Sequence, residues 1–133
     1  RYLNPPANRD IVFNELMIDW DEPVVLVEGV FDAIAAGGNA IPILGSTLRE
    51  RSRLFQAIAL HDTPVYMALD GDAEKKAEWI IKSMLKYDLE VFKVPIDDAD
   101  VSEMGIEEFR ERLQVSNPIK NEMYFFEKLL ENI

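Results

Sequence analysis

The sequence predicts an α/β protein built on a four-stranded parallel sheet flanked by helices, with an extra helix at the C-terminus. Three observations carry that expectation. Short apolar, often β-branched runs alternate with segments of helical periodicity from residue 24 to about 113. Glycine, proline and hydroxyl residues punctuate the junctions. Acidic residues then follow directly on three of the apolar runs.

The elements follow in order. "VVLVE" (24–28) is a continuous run of the kind expected of a strand buried on both faces. "VFDAIAAGG" reads as a short helix stopped by Gly37 and Gly38. "AIPIL" (40–44) is a second strand, and its Pro42 predicts a sheet edge. Ser46 or Thr47 can cap a helix running to about His61, with Leu48, Phe55 and Ile58 inward. "PVYMALD" (64–70) is a third strand, and residues 73–87 form a helix with Ala77, Ile80, Ile81, Met84 and Leu85 at helical spacing. "LEVFKVPI" (89–96) is a fourth strand, and Ile106, Phe109 and Leu113 mark an amphipathic helix. Residues 1–22 read as a linker or the tail of a preceding subdomain, 23–115 as the domain proper, and 116–133 as a helix restarted at Pro118.

Composition bounds the function. The 133 residues suit one domain with its own core, at 48% apolar and 29% charged. No apolar run approaches the roughly 20 residues that cross a bilayer, and nothing at the N-terminus resembles a secretory signal. Without cysteine there are no disulfides or thiolate zinc sites, so a reducing cytoplasm is the expected setting. A formal charge of −11 argues against a generic nucleic-acid coat and for a protein that meets phosphates through bound cations. The chain begins at Arg1 without methionine, which suggests a piece of something longer.

The chemistry lies in the carboxylates. Ligand sites of parallel α/β sheets form at the carboxyl ends of strands, where strand order reverses. Glu28 ends the first strand; Asp70 ends the third, with Asp72 beyond it; Asp97, Asp98 and Asp100 follow the fourth. If the first and third strands are neighbours, about 4.8 Å apart, Glu28 and Asp70 face one site. Such a cluster repels itself unless a hard cation is present, and Mg²⁺ takes oxygen ligands while keeping open positions for phosphate oxygens. Gly29 and Gly71 would let backbone approach closely. A lone Asp-x-Asp, or "DDAD" by itself, is more often a solvated turn; the coincidence of three acidic sites is what favours a metal.

With those residues laid out, "LVEGVFDAIAA", "ILGSTL", "VYMALDGDAEKKA" and "VPIDDAD" together resemble the Toprim domain, in its bacterial and phage primase branch. The matching positions are Glu28 and Asp32, the Leu44-Gly45-Ser46 turn, Asp70-Gly71-Asp72, and Asp98-Ala99-Asp100, over about residues 24 to 113. "RYLNPP" also looks like the segment leading into this domain in primases. Ala99 stands where the family has proline, and Glu74-Lys75 where it has a small residue and glycine.

The resemblance implies a Rossmann-like Toprim fold and the catalytic core of a DNA primase. Such a core joins ribonucleoside triphosphates into primers on a single-stranded DNA template, with Mg²⁺ or Mn²⁺. It implies Glu28 as base or metal ligand, Asp70 and Asp72 as primary ligands, Asp98 and Asp100 on a further ion, and Asp32 orienting Glu28 or holding a metal through water. Gly29, Gly45, Ser46, Gly71, Lys75 and Lys76 would meet phosphates, and Arg49, Arg51 and Arg53 the nucleic acid. Partners implied are a zinc-binding domain and a helicase or helicase-binding domain, in a bacterial cell or phage-infected host. The fragment alone is expected to synthesise little primer. His61, at a helix C-terminus, is not expected to be catalytic, and Trp20 and Trp79 are expected to pack. The rival readings are a Toprim-type metal-dependent nuclease and a non-enzymatic Mg²⁺-binding module of receiver type.

Overall fold

The computed structural model describes residues 12–13, 15–43, 48–69, 74–96, 101–119 and 130. After a 3-10 turn at Glu15–Met17 the elements run β1 (Val24–Val27), α1 (Val30–Ala36), β2 (Ala40–Pro42), α2 (Arg53–His61), β3 (Val65–Met67), α3 (Glu74–Lys86), β4 (Val91–Lys93), α4 (Val101–Met104), α5 (Ile106–Gln114) and β5 (Asn117–Ile119). The sheet order is β2-β1-β3-β4-β5. β1 pairs in parallel with β2 and with β3, and β3 with β4. The expected adjacency of the first and third strands therefore holds. The order reverses between β1 and β3, so the crevice at their carboxyl ends is the switch point of the sheet. Pro42 lies in the edge strand β2, as expected of a residue that cannot donate to a ladder.

Alternation along the strands divides the core into two layers. Val24 and Leu26 of β1, with Val65 and Met67 of β3, face Phe55 and Ile58 of α2 and Ile80, Ile81 and Met84 of α3. Val27, Ala68 and Val94 face Ala33 of α1 and Phe109 of α5 on the other side. The small side chains at 33, 40 and 68 let α1 and α5 sit close to the sheet. Val12 and Ile18 also bury into the larger layer, and Asn39 fastens the chain ahead of β1 by donating to the Asp19 carbonyl over 2.6 Å.

The sheet has five strands, not the expected four. Residues 117–119 pair antiparallel with β4, with Pro118 opposite Phe92. The expectation of a helix restarting at Pro118 weighed proline's preference for a first helical turn. Asn117 precedes a proline, which biases it towards extended backbone, and β4 offers an edge that an antiparallel strand completes. Leu130 is helical; the rest of the expected C-terminal helix lies outside the described residues.

The second helix also starts later than expected. Residues 48–52 are turn and coil, and the cap is Ser52, whose Oγ accepts from the Phe55 N–H over 3.2 Å. Ser46 and Thr47 lie outside the described residues. α1 does end as expected: Gly37 and Gly38 take positive φ values of 70° and 57°, and Gly37 N–H donates back to the Ala33 carbonyl. Between β4 and α5 the structure adds the short helix α4, which the sequence pattern did not signal.

Candidate functional site

Glu28 is the first residue past β1, at the switch point. The register Leu26↔Met67 continues through a hydrogen bond from the Ala68 N–H to the Leu26 carbonyl, 2.9 Å long. Glu28 and Leu69, the residue that precedes Asp70 in sequence, each lie two residues past that last registered pair. Glu28 is only partly exposed because β1 is flanked on both sides.

The Glu28 carboxylate has two unlike oxygens. Oε2 accepts a charge-assisted hydrogen bond from Lys76 Nζ at 2.9 Å, with 19% of the glutamate and 22% of the lysine side chain exposed. Oε1 is buried and, among the described residues, has no hydrogen-bond partner. An unsatisfied buried oxygen costs free energy, and more when it is charged. Lys76 lies in the first turn of α3, and a helix that follows a parallel strand begins at that strand's carboxyl end. This long-range pair, 48 positions apart, carries no local sequence signal.

Asp32 is almost fully buried, at 8% exposure, and both its oxygens accept from backbone. Oδ2 takes the Gly29 N–H at 3.3 Å, closing the first turn of α1 on itself. Oδ1 takes the Ser102 N–H at 3.1 Å, one of the orphan donors at the start of α4. Asp32 thus touches the chain next to Glu28 and the chain just after Asp100.

Gly29 is extended (φ −133°, ψ 173°), a conformation open to any residue, and an added Cβ would meet Asp32 Oδ2 only at 3.9 Å. The backbone does not require glycine there.

The remaining expected residues divide. Asp70, Gly71, Asp72, Asp98, Asp100, Gly45 and Ser46 lie outside the described residues. Among the described residues no group of three acidic, histidine or cysteine side chains is set to hold a metal. Lys75 is exposed beside Lys76. Arg49, Arg51 and Arg53 are exposed. Arg49 and Arg51 flank Glu50, whose carboxylate accepts from Lys86 at 3.2 Å and Tyr87 at 2.6 Å. Glu50 thereby meets the far end of α3 from Lys76, about 15 Å away along the helix. Arg53 pairs with Glu15 at 2.9 Å.

The aromatic expectations also divide. His61 ends α2, with its Nδ1 2.9 Å from the Ala57 carbonyl and its ring stacked on Trp20 at 5.9 Å. Trp20 packs on the core, as expected. Trp79 does not: it is half exposed on α3.

No family model matches the chain, and no curated protein matches it. Among solved structures, the crystal structure of the Aquifex aeolicus primase (zinc-binding and RNA polymerase domains) is similar. The TM-score is 0.60 at 28% sequence identity, covering 72% of this chain. The chain spans 26% of the length of that primase fragment. The likeness supports a primase-like fold. No helix among the described residues is long and apolar enough to cross a membrane.

Proposed function

We propose that the chain is the metal-binding core of a DNA primase, of Toprim type, acting in RNA primer synthesis on a single-stranded DNA template. The observation that carries this reading is Glu28: an acidic side chain at the switch point of a primase-like sheet, with one oxygen buried and unpaired. A carboxylate in that state suits a hard oxygen-seeking cation, so the donor set fits Mg²⁺ or Mn²⁺.

Glu28, Asp70 and Asp72 would hold the ion, with Asp98 and Asp100 contributing from the loop after β4. The chemistry that a bound ion supplies is neutralisation of charge on the triphosphate and a more acidic attacking 3′-hydroxyl. In the reaction the 3′-oxygen bonds to the α-phosphorus of the incoming ribonucleotide, the bond to pyrophosphate breaks, and the hydroxyl proton leaves for a base. Oε1 of Glu28 is the free oxygen for either of its roles, ion ligand or proton acceptor. Lys75 and Lys76 offer positive charge to phosphates from the first turn of α3, where the helix dipole adds to it. Asp32 holds Gly29, the neighbour of Glu28, and Ser102 of α4 in fixed relation.

The test is calorimetric titration of the chain with Mn²⁺, alongside Glu28→Gln. Binding in the wild type and its loss in the variant are expected; a flat wild-type titration overturns the reading. Ribonucleotide incorporation and DNA cleavage assays, run side by side, separate primase from nuclease chemistry. Cutting without incorporation would select the nuclease.

A further inference from the structure

We infer that Lys76 is the resident counter-ion of this site. Its ammonium neutralises Glu28 while no divalent ion is present, yields that oxygen when an ion arrives, and turns to the phosphates that come with it. The inference rests on the metal reading above and assigns this chain's own lysine a role in it.

Three observations converge. The pair is direct and mostly shielded, with Nζ 2.9 Å from Oε2 and about four-fifths of each side chain covered. The pairing is also incomplete, because Oε1 stays buried without a partner. An arginine at this place could meet both oxygens with its fork; lysine is a point charge on a flexible stem and satisfies only one. Finally, among the described residues Glu28 is the one hydrogen-bond partner of Lys76, so nothing else there must break when the ammonium moves. A divalent ion brings more charge to the same carboxylate and can take the orphaned oxygen as well. The two cations also repel each other at such distances, so occupation by one disfavours the other.

Lysine therefore serves two ends. It holds the glutamate in place without an ion, and it makes ion binding and phosphate binding favour each other. A residue that merely braced α3 against β1 would do neither.

Mn²⁺ affinity of the wild type, Lys76→Met and Lys76→Gln separates these cases. It is followed by calorimetry and by the electron paramagnetic resonance signal of free Mn²⁺, with folding checked by circular dichroism. Loss of the competing charge is expected to tighten Mn²⁺ about tenfold, a factor that corresponds to about 1.4 kcal/mol. Triphosphate affinity in saturating Mn²⁺ is expected to fall in the same variants. In EDTA both should melt below the wild type, and Mn²⁺ should raise their melting points by more than it raises the wild type's. If the methionine variant does not fold in EDTA, the glutamine variant, which keeps a donor, carries the comparison.

Unchanged or weaker Mn²⁺ binding in both variants, with binding intact in the wild type, overturns the role of Lys76 and leaves the metal reading standing. Absence of binding in all three proteins overturns both. Binding in the variants alone would show a lysine that does not yield to the ion, and would overturn the inference together with the metal reading of the native chain.

Discussion

Asp32 and Ser102 are 70 positions apart, yet the Ser102 backbone N–H donates to Asp32 Oδ1 over 3.1 Å. The other oxygen of the same carboxylate takes the N–H of Gly29, the residue after Glu28. One buried side chain thereby ties the end of β1 to the start of α4. Burial in the layer containing Ala33 and Phe109 limits its movement.

Removing that tie should be costly. Asp32→Ala removes the acceptor of two backbone hydrogen bonds and is expected to lower stability by on the order of 2–4 kcal/mol. Asp32→Asn keeps one acceptor and should lose about half as much. Hydrogen exchange at the Gly29 and Ser102 amides checks the mechanism: both should exchange faster in the alanine variant. If only global exchange rises, the carboxylate is acting as generic core and not as a link between two loops.

Gly29→Ala tests what the glycine is for. With extended φ and 3.9 Å of room for a Cβ, the variant should melt within a degree or two of the wild type, a change of about 0.5 kcal/mol or less. If the glycine serves the close approach of a triphosphate, nucleotide affinity will nevertheless fall. A variant unchanged in both respects would show that residue 29 contributes only chain continuity.

These two residues mark where sequence reasoning reached and where it stopped. The order of strands and helices was legible because runs such as Val24–Val27 and the spacing of Ile80, Ile81 and Met84 reflect burial directly. The position of Glu28 followed from that order alone. What was not legible depends on side chains meeting across the fold. Lys76 read as one of two adjacent lysines at a helix start, with nothing to mark it as the partner of Glu28. The expectation for Asp32 was to orient Glu28 or hold a metal through water, and its backbone partner at Ser102 is invisible in a linear pattern. Asn117–Ile119 was misread because whether a Pro-containing segment becomes helix or edge strand depends on a vacant sheet edge.

The late start of α2 gives a third prediction. Ser52 Oγ accepts from the Phe55 N–H, and Phe55 itself is 1% exposed in the core. Ser52→Ala should cost about 1 kcal/mol, while Ser52→Asp or Ser52→Asn should be close to neutral because both are good caps. Thermal denaturation of the three variants decides it. A loss no smaller for aspartate and asparagine than for alanine would mean that the hydroxyl does not act as a cap.

Glu50 supplies the last prediction, one of pH. The Tyr87 hydroxyl holds its carboxyl below the ordinary glutamate range, with Lys86 adding to the effect, and Glu50 in turn pushes the Tyr87 phenol up. The signs are opposite in their consequences. Because the acid's midpoint is depressed on folding, its contribution is full above the ordinary glutamate value and fades as pH falls through the depressed one. Because the phenol's midpoint is raised, its contribution is full below the ordinary tyrosine value and fades as pH rises through the raised one. The Glu50–Tyr87–Lys86 contact should therefore help most across the neutral range and weaken with added salt, since all three groups are at the surface. In an NMR titration of the Glu50 side chain, Tyr87→Phe should move the midpoint up towards an ordinary glutamate, by more than Lys86→Met does. A larger shift from the lysine variant would make the ion pair, and not the phenolic hydrogen bond, the main cause.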